Sequence, residues 1–104
     1  MNVKNLSEQL GVPESEYIDL VRLFIQTSSV YLEKLRSAVS NKAGAEASTI
    51  AHSLKGAALN MRFDVFLDTT AALEKAIQNG QWQAADRLIR QLSELLKDIE
   101  WATS

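Results

Sequence analysis

Residues 82–101 read WQAADRLIRQLSELLKDIEW. Ala85, Leu88, Ile89, Leu92, Leu95, Leu96 and Ile99 recur at steps of three and four, the spacing of one face of an α-helix. Charged and amide side chains fill most of the intervening positions, so this helix has one face for a core and one for water. A single amphipathic helix cannot bury its own stripe, and partners must be found elsewhere in the chain.

Working back from it, Asn79-Gly80 forms a C-cap signal for a helix over Val65–Gln78, which carries Phe66, Leu67, Leu73 and Ile77. Asp64 is expected to cap the start of that helix, with Phe63 before it as a hydrophobic staple. A further helix is expected over Ala45–Met61. It follows the polar turn Ser40–Gly44, in which Asn41 and Gly44 are suited to left-handed conformations. The longest helix is expected over about residues 14–39, with Tyr17, Leu20, Val21, Phe24, Tyr31, Leu35, Ala38 and Val39 as its apolar stripe. Ser28 interrupts that stripe. Pro13, with Glu14 and Glu16 behind it, suits the helix start. A short helix over Val3–Leu10 precedes the break at Gly11-Val12-Pro13. No stretch alternates with a β period. The expected fold is therefore all-α: an antiparallel four-helix bundle with a short additional N-terminal helix, one domain over residues 1–104.

Composition narrows the function classes. Lysine plus arginine total 11 against 13 for aspartate plus glutamate, a formal net charge of −2, which argues against a nucleic-acid binder. Cysteine is absent, which removes disulfides and thiolate metal sites. No apolar run approaches the roughly 18 residues of a membrane span, and the first residues, MNVKNLSEQLGVPESE, lack the apolar core of a secretory signal. A cytoplasmic monomer is expected, with no membrane association and no cofactor. One histidine without HExxH spacing gives no metal site.

That histidine stands in residues 51–60, AHSLKGAALN. With His52 at zero on a helical wheel, Ser48, Lys55, Gly56 and Leu59 lie within roughly 60° and Ala45 within about 20°. Ile50, Leu54, Ala57 and Met61 lie at least about 140° away. If the apolar set fills the core, the His52 stripe faces solvent. Gly56, one turn beyond, costs roughly 1 kcal/mol relative to alanine inside a helix, and an absent side chain there leaves the imidazole edge bare. Lys55 can reach the space above the ring, where a cation disfavours imidazolium and would stabilise a phosphoryl group on the ring nitrogen. An ordinary exposed histidine beside a solvated lysine is the plainer alternative, and spacing alone does not dismiss it.

The stretch resembles the signature of histidine-containing phosphotransfer (HPt) domains, in which Ala-His-x-Leu-Lys-Gly surrounds the phosphorylated histidine; the matching residues are Ala51, His52, Leu54, Lys55 and Gly56. The similarity extends to the long helix with Tyr17 and Phe24, the Leu73-Glu74 pair, and the Asn-Gly break before the last helix. The resemblance implies a phosphorelay intermediate. His52 would accept a phosphoryl group from the phospho-aspartate of a receiver domain and pass it to an aspartate on another response regulator, or work with a hybrid histidine kinase. It also implies that Lys55 assists the phosphoryl group and Gly56 leaves room for it, while the acceptor aspartate and its metal ion come from the receiver. Ala45, Ser48, Leu59, Arg62 and Glu74 are candidate partner-facing residues. Glu74 occupies a position near which some family members place a polar residue close to the histidine. Where the family commonly has a glycine ten residues after the histidine, this chain has Arg62, expected to add a positive charge at the rim.

Two rivals remain at this point. A histidine kinase dimerisation domain also exposes a histidine on a helical bundle, but such domains usually carry an acidic residue next to it, where this chain has Ser53. A non-catalytic helical adaptor would bind a signalling protein through the same face without chemistry.

Overall fold

The computed structural model describes residues 2–103. Five α-helices follow one another: α1 (Val3–Leu10), α2 (Glu14–Ser40), α3 (Gly44–Met61), α4 (Asp64–Gln78) and α5 (Trp82–Thr103). The short connections force consecutive helices antiparallel. α2 packs on α3, α3 on α4, α4 on α5 and α5 back on α2, while α1 lies against α2. The result is a four-helix bundle of 41 × 20 × 17 Å with α1 as an added cap.

One device ends α1 to α4 alike. Gly11, Lys42, Arg62 and Gly80 each have positive φ. At each, the next residue's N–H bonds back to a carbonyl five residues earlier: Val12 to Ser7, Ala43 to Ala38, Phe63 to Ala58 and Gln81 to Ala76. These are Schellman endings, which satisfy carbonyls that the helix leaves open. Two details differ from the sequence reading. In the turn after α2 the left-handed residue is Lys42, not Asn41 or Gly44, because Gly44 already belongs to α3. Asp64 does not cap α4 but opens it, and Phe63 holds the cap position with no side-chain cap bond. The reason is the Schellman ending at Arg62, which turns the chain so tightly that Phe63 drops straight into the core. Its ring then meets Phe24 edge-on at 5.1 Å.

A left-handed conformation costs a non-glycine residue about 1–2 kcal/mol, so two of the four endings carry strain that glycine would relieve. Arg62→Gly is therefore expected to stabilise the chain by about 1 kcal/mol, read as a higher urea midpoint at unchanged m-value. An equal or lower midpoint would mean that the Arg62 side chain contributes more than its backbone costs.

The core is built from Tyr17, Val21, Phe24, Leu32 and Leu35 of α2, Leu54 of α3, Phe66 and Leu73 of α4, and Ile89 and Leu92 of α5, among others. Ser28 is buried inside it with no hydrogen-bond partner for its hydroxyl. Leu20, expected in the stripe, is 40% exposed, and Leu32 takes a core place instead. The Tyr17 phenol is fully buried, and burial pushes its pKa upward, so it stays neutral through the physiological range.

On α3 the buried residues are Ala47, Ala51, Leu54, Ala58 and Met61, whereas Ile50 and Ala57 are only partly buried. The buried face is thus turned about 50° from the one expected, toward the side that carries Lys55. Three alanines on that face let α3 approach its neighbours closely, and the aromatic rings of α2 and α4 fill the space.

Candidate functional site

His52 sits midway along α3, about 140° around the helix from the centre of its buried face, and its side chain is 74% exposed. Ala51 and Leu54, which flank it in sequence, are fully buried and fix the helix beneath it. The imidazole therefore stands on a rigid support with its ring in water. Gly56 follows one turn later, and a Cβ placed there would meet no atom within 4 Å. Nothing in the fold requires a glycine at this position.

The rotation of α3 brings Lys55 toward α4. Its ammonium lies 3.0 Å from Oε2 of Glu74, and Oε1 of the same carboxylate lies 3.7 Å from Nδ1 of His52. Glu74 is only 15% exposed, and its Oε2 is sealed from solvent with the Lys55 ammonium as its counter-charge. One carboxylate thus serves both groups. The sequence reading had a lone cation near the ring; the structure places a compensated Lys55–Glu74 pair there. The 3.7 Å approach is longer than a hydrogen bond, an electrostatic contact that a small rotation of the exposed ring would close.

The remaining candidates are spread more widely. Ser48 is half-buried and Ala45 exposed, toward the N-terminal end of α3. Leu59 is 61% exposed and continues the His52 stripe. Arg62 is not brought to the histidine: ten residues of helix separate them, about 15 Å along the axis. It lines a separate groove with Phe63, Asp64, Val65 and Asp98. Sequence reasoning missed the exposed apolar side chains of α2, Leu23 at 59% and Val30 at 51%. They share a flank with Leu20, at least about 120° from Arg36, whose guanidinium donates to Ser93 of α5. That flank lies away from α5. The apolar stripe read from the sequence omits Leu23 and Val30, which was the available signal, and includes Leu20, which the structure leaves 40% exposed.

Among the described residues no group of three or more His, Cys, Asp or Glu side chains could hold a metal ion, and no helix is long and apolar enough to cross a membrane.

An exposed histidine on a helical bundle, with a lysine and a glycine one turn on, is the arrangement expected of a phosphotransfer domain, and the family model of the Hpt domain matches residues 19–101. The chain belongs to the Hpt family. Members of this family are phosphotransfer intermediates of phosphorelays, working with receiver domains and histidine kinases, and are not themselves kinases. The fold agrees: the crystal structure of histidine-containing phosphotransfer protein B (HptB) from Pseudomonas aeruginosa PAO1 is similar with a TM-score of 0.84. The identity is 25%, over 99% of this chain and 90% of that one. A comparison with curated proteins gave no match. As an Hpt domain the chain is a histidine phosphotransfer protein of a two-component phosphorelay.

Proposed function

We propose that His52 is the phospho-acceptor of this Hpt domain, on one observation above the others: it is the sole histidine of the chain, held exposed on a helix that Ala51 and Leu54 anchor in the core. Nδ1 is the ring nitrogen nearest the Glu74 carboxylate, which favours the tautomer with hydrogen on Nδ1 and a lone pair on Nε2. Nε2 attacks the phosphorus of a receiver's phospho-aspartate. The N–P bond forms, the P–O bond to the aspartyl carboxyl breaks, and the receiver's carboxylate leaves. The ring carries positive charge during the attack, and Glu74 stabilises it through the Nδ1 proton. The reverse sequence passes the phosphoryl group to the aspartate of a second receiver.

Phosphoryl transfer runs through a loose transition state in which positioning and charge stabilisation dominate. Lys55 supplies the charge. Its ammonium, held by Glu74 in the unphosphorylated chain, swings to the phosphoryl oxygens when they arrive, and the carboxylate keeps it within reach meanwhile. Lys55 is a point charge with three rotatable donors, suited to such a change of partner. The receiver docks over His52, Gly56 and Leu59 and across the exposed Leu23 and Val30 of α2, apolar side chains that a partner would take out of water. Ala45 and Ser48 keep the other side of the ring low. We assign the domain to residues 1–104, acting as a cytoplasmic monomer without kinase activity of its own.

Two incubations test this. The chain mixed with a phosphorylated receiver domain and Mg²⁺ is expected to acquire acid-labile phosphate, and the chain with ATP alone is expected to acquire none. Labelling from ATP alone would mark it as part of a kinase. Lys55→Ala is expected to slow labelling by about tenfold to a hundredfold, from loss of one transition-state charge, while the circular dichroism stays helical. An unchanged rate would remove Lys55 from the mechanism.

A further inference from the structure

Across the bundle from the α3–α4 seam, α2 meets α5, and a groove of about 480 Å³ opens where the C-terminal end of α2 faces the first turns of α5. Its lining includes Arg36, Lys42, Arg87 and Arg90 against a single carboxylate, Asp86. This excess of positive charge stands out in a chain with a formal net charge of −2. Two of the cations are already engaged: Arg36 donates to Ser93, and Arg90 pairs with Asp86. Lys42 and Arg87 are exposed and have no ion-pair partner among the described residues. Trp82, half-buried, lines the same groove, its ring edge 3.7 Å from where a Cβ on Gly44 would stand.

Lys42 is also one of the two non-glycine residues with positive φ. The Schellman ending of α2 requires the left-handed backbone but not a lysine, and a strained choice of residue directs attention to function. A lysine here costs stability that the neighbouring asparagine or a glycine would spare, and it places a free ammonium at the rim of the groove.

We infer that this groove is a second docking surface, which takes an acidic segment of a partner polypeptide while the His52 face stays free for a receiver. The shape and charge select that occupant. The groove is open and its free cations are spread along its rim, whereas a small anion needs convergent, enclosed donors. Nucleic acid needs a longer run of contacts, on the order of 6–10 phosphates for strong binding, and two uncommitted cations on an otherwise acidic chain do not supply it. An extended or helical segment with two or three carboxylates spans the roughly 6 Å of helix from Arg36 to Ser40 and the turn beyond it to Lys42, and lays an apolar side chain on Trp82. The inference does not depend on His52 being the phospho-acceptor.

The test is direct binding to the full chain of a fluorescein-labelled peptide of six glutamates, followed by anisotropy in about 10 mM salt, where the screening length is about 30 Å. Binding is expected, weakening as salt is raised. The double variant Lys42→Glu/Arg87→Glu is expected to lose about tenfold or more in affinity, and Lys42→Gln/Arg87→Gln serves the same purpose if charge reversal unfolds the chain. His52→Gln is expected to bind the peptide as the parent does and Lys42→Glu/Arg87→Glu to accept phosphate as the parent does, so failure here is separate from failure of the phosphotransfer reading. No binding in low salt, equal binding by the double variants, or an oligothymidine of equal charge bound as tightly as the peptide would each overturn the inference.

Discussion

His52→Gln is expected to abolish acid-labile phosphate on the chain and to leave the fold intact. With phosphorylated receiver in excess, the parent protein labels and the variant stays at background, because no second imidazole exists to take over. The loss should be complete. Stability should change little, within about 0.5 kcal/mol, as for other exposed helix positions away from buried networks. The contact to Glu74 at 3.7 Å is too long for a hydrogen bond, and Glu74 keeps Lys55 as its partner when the ring is gone. The measurement pairs acid-labile label with far-ultraviolet circular dichroism and a urea midpoint on the same sample. Label that persists in the variant would move the phosphate to a hydroxyl or carboxylate and end the proposal. Retained signalling with no label would favour the adaptor reading, in which the same face binds a partner without chemistry.

The fold was legible because it rests on period and punctuation. Leu88, Leu92 and Ile99 of α5 declare a helix by spacing alone, and Asn79-Gly80 declares its boundary by chemistry that few other residues supply. What escaped was rotation and strain. A stripe of apolar residues fixes a helix face to within a few tens of degrees, and the final setting depends on which neighbour presses from which side. Ile50 and Ala57 yielded the centre of the α3 face to Ala47, Ala51 and Ala58. Small residues are weak signals in a hydrophobic pattern and strong ones in packing, since they decide how closely helices approach. Lys42 was unreadable for a related reason: left-handed residues are found by looking for glycine and asparagine, and a basic side chain holds that place; at Arg62 only the resemblance, which puts a glycine there, marked the turn.

The candidate site was legible in its residues and not in its wiring. His52, Lys55 and Gly56 share a helix, so their neighbourhood follows from 100° per residue. Glu74 lies on α4, and only the packing of α3 on α4 sets its carboxylate between the lysine and the histidine. The consequence is chemical. A lone Lys55 would repel charge building on the ring during attack; Lys55 paired with Glu74 does not, and it still has a cation to give to the phosphoryl group.

Gly56 offers the sharpest separation of structure from function, because its two effects have opposite sign. A methyl added there meets nothing within 4 Å, and alanine in a helix interior is about 0.5–1 kcal/mol more favourable than glycine. Gly56→Ala is therefore expected to raise the urea midpoint. Gly56→Leu should also be tolerated by the bundle, since the side chain points into water and leucine is a good helix former. Its effect on transfer is expected to be large. Residues four apart on a helix have Cβ atoms about 5–6 Å apart, and long helical side chains lean back over the preceding turn. A leucine at 56 thus covers the edge of His52 where the phospho-aspartate must approach. Displacing reacting atoms by about 1 Å costs on the order of a hundredfold in rate, and Gly56→Leu should lose at least that in labelling from a phosphorylated receiver. A variant more stable than its parent and nearly inert in transfer would show that the glycine is kept for the space it leaves. Unchanged transfer in Gly56→Leu would show that the receiver reaches His52 from another side, and the docking face would have to be redrawn around Ser48 and Ala45.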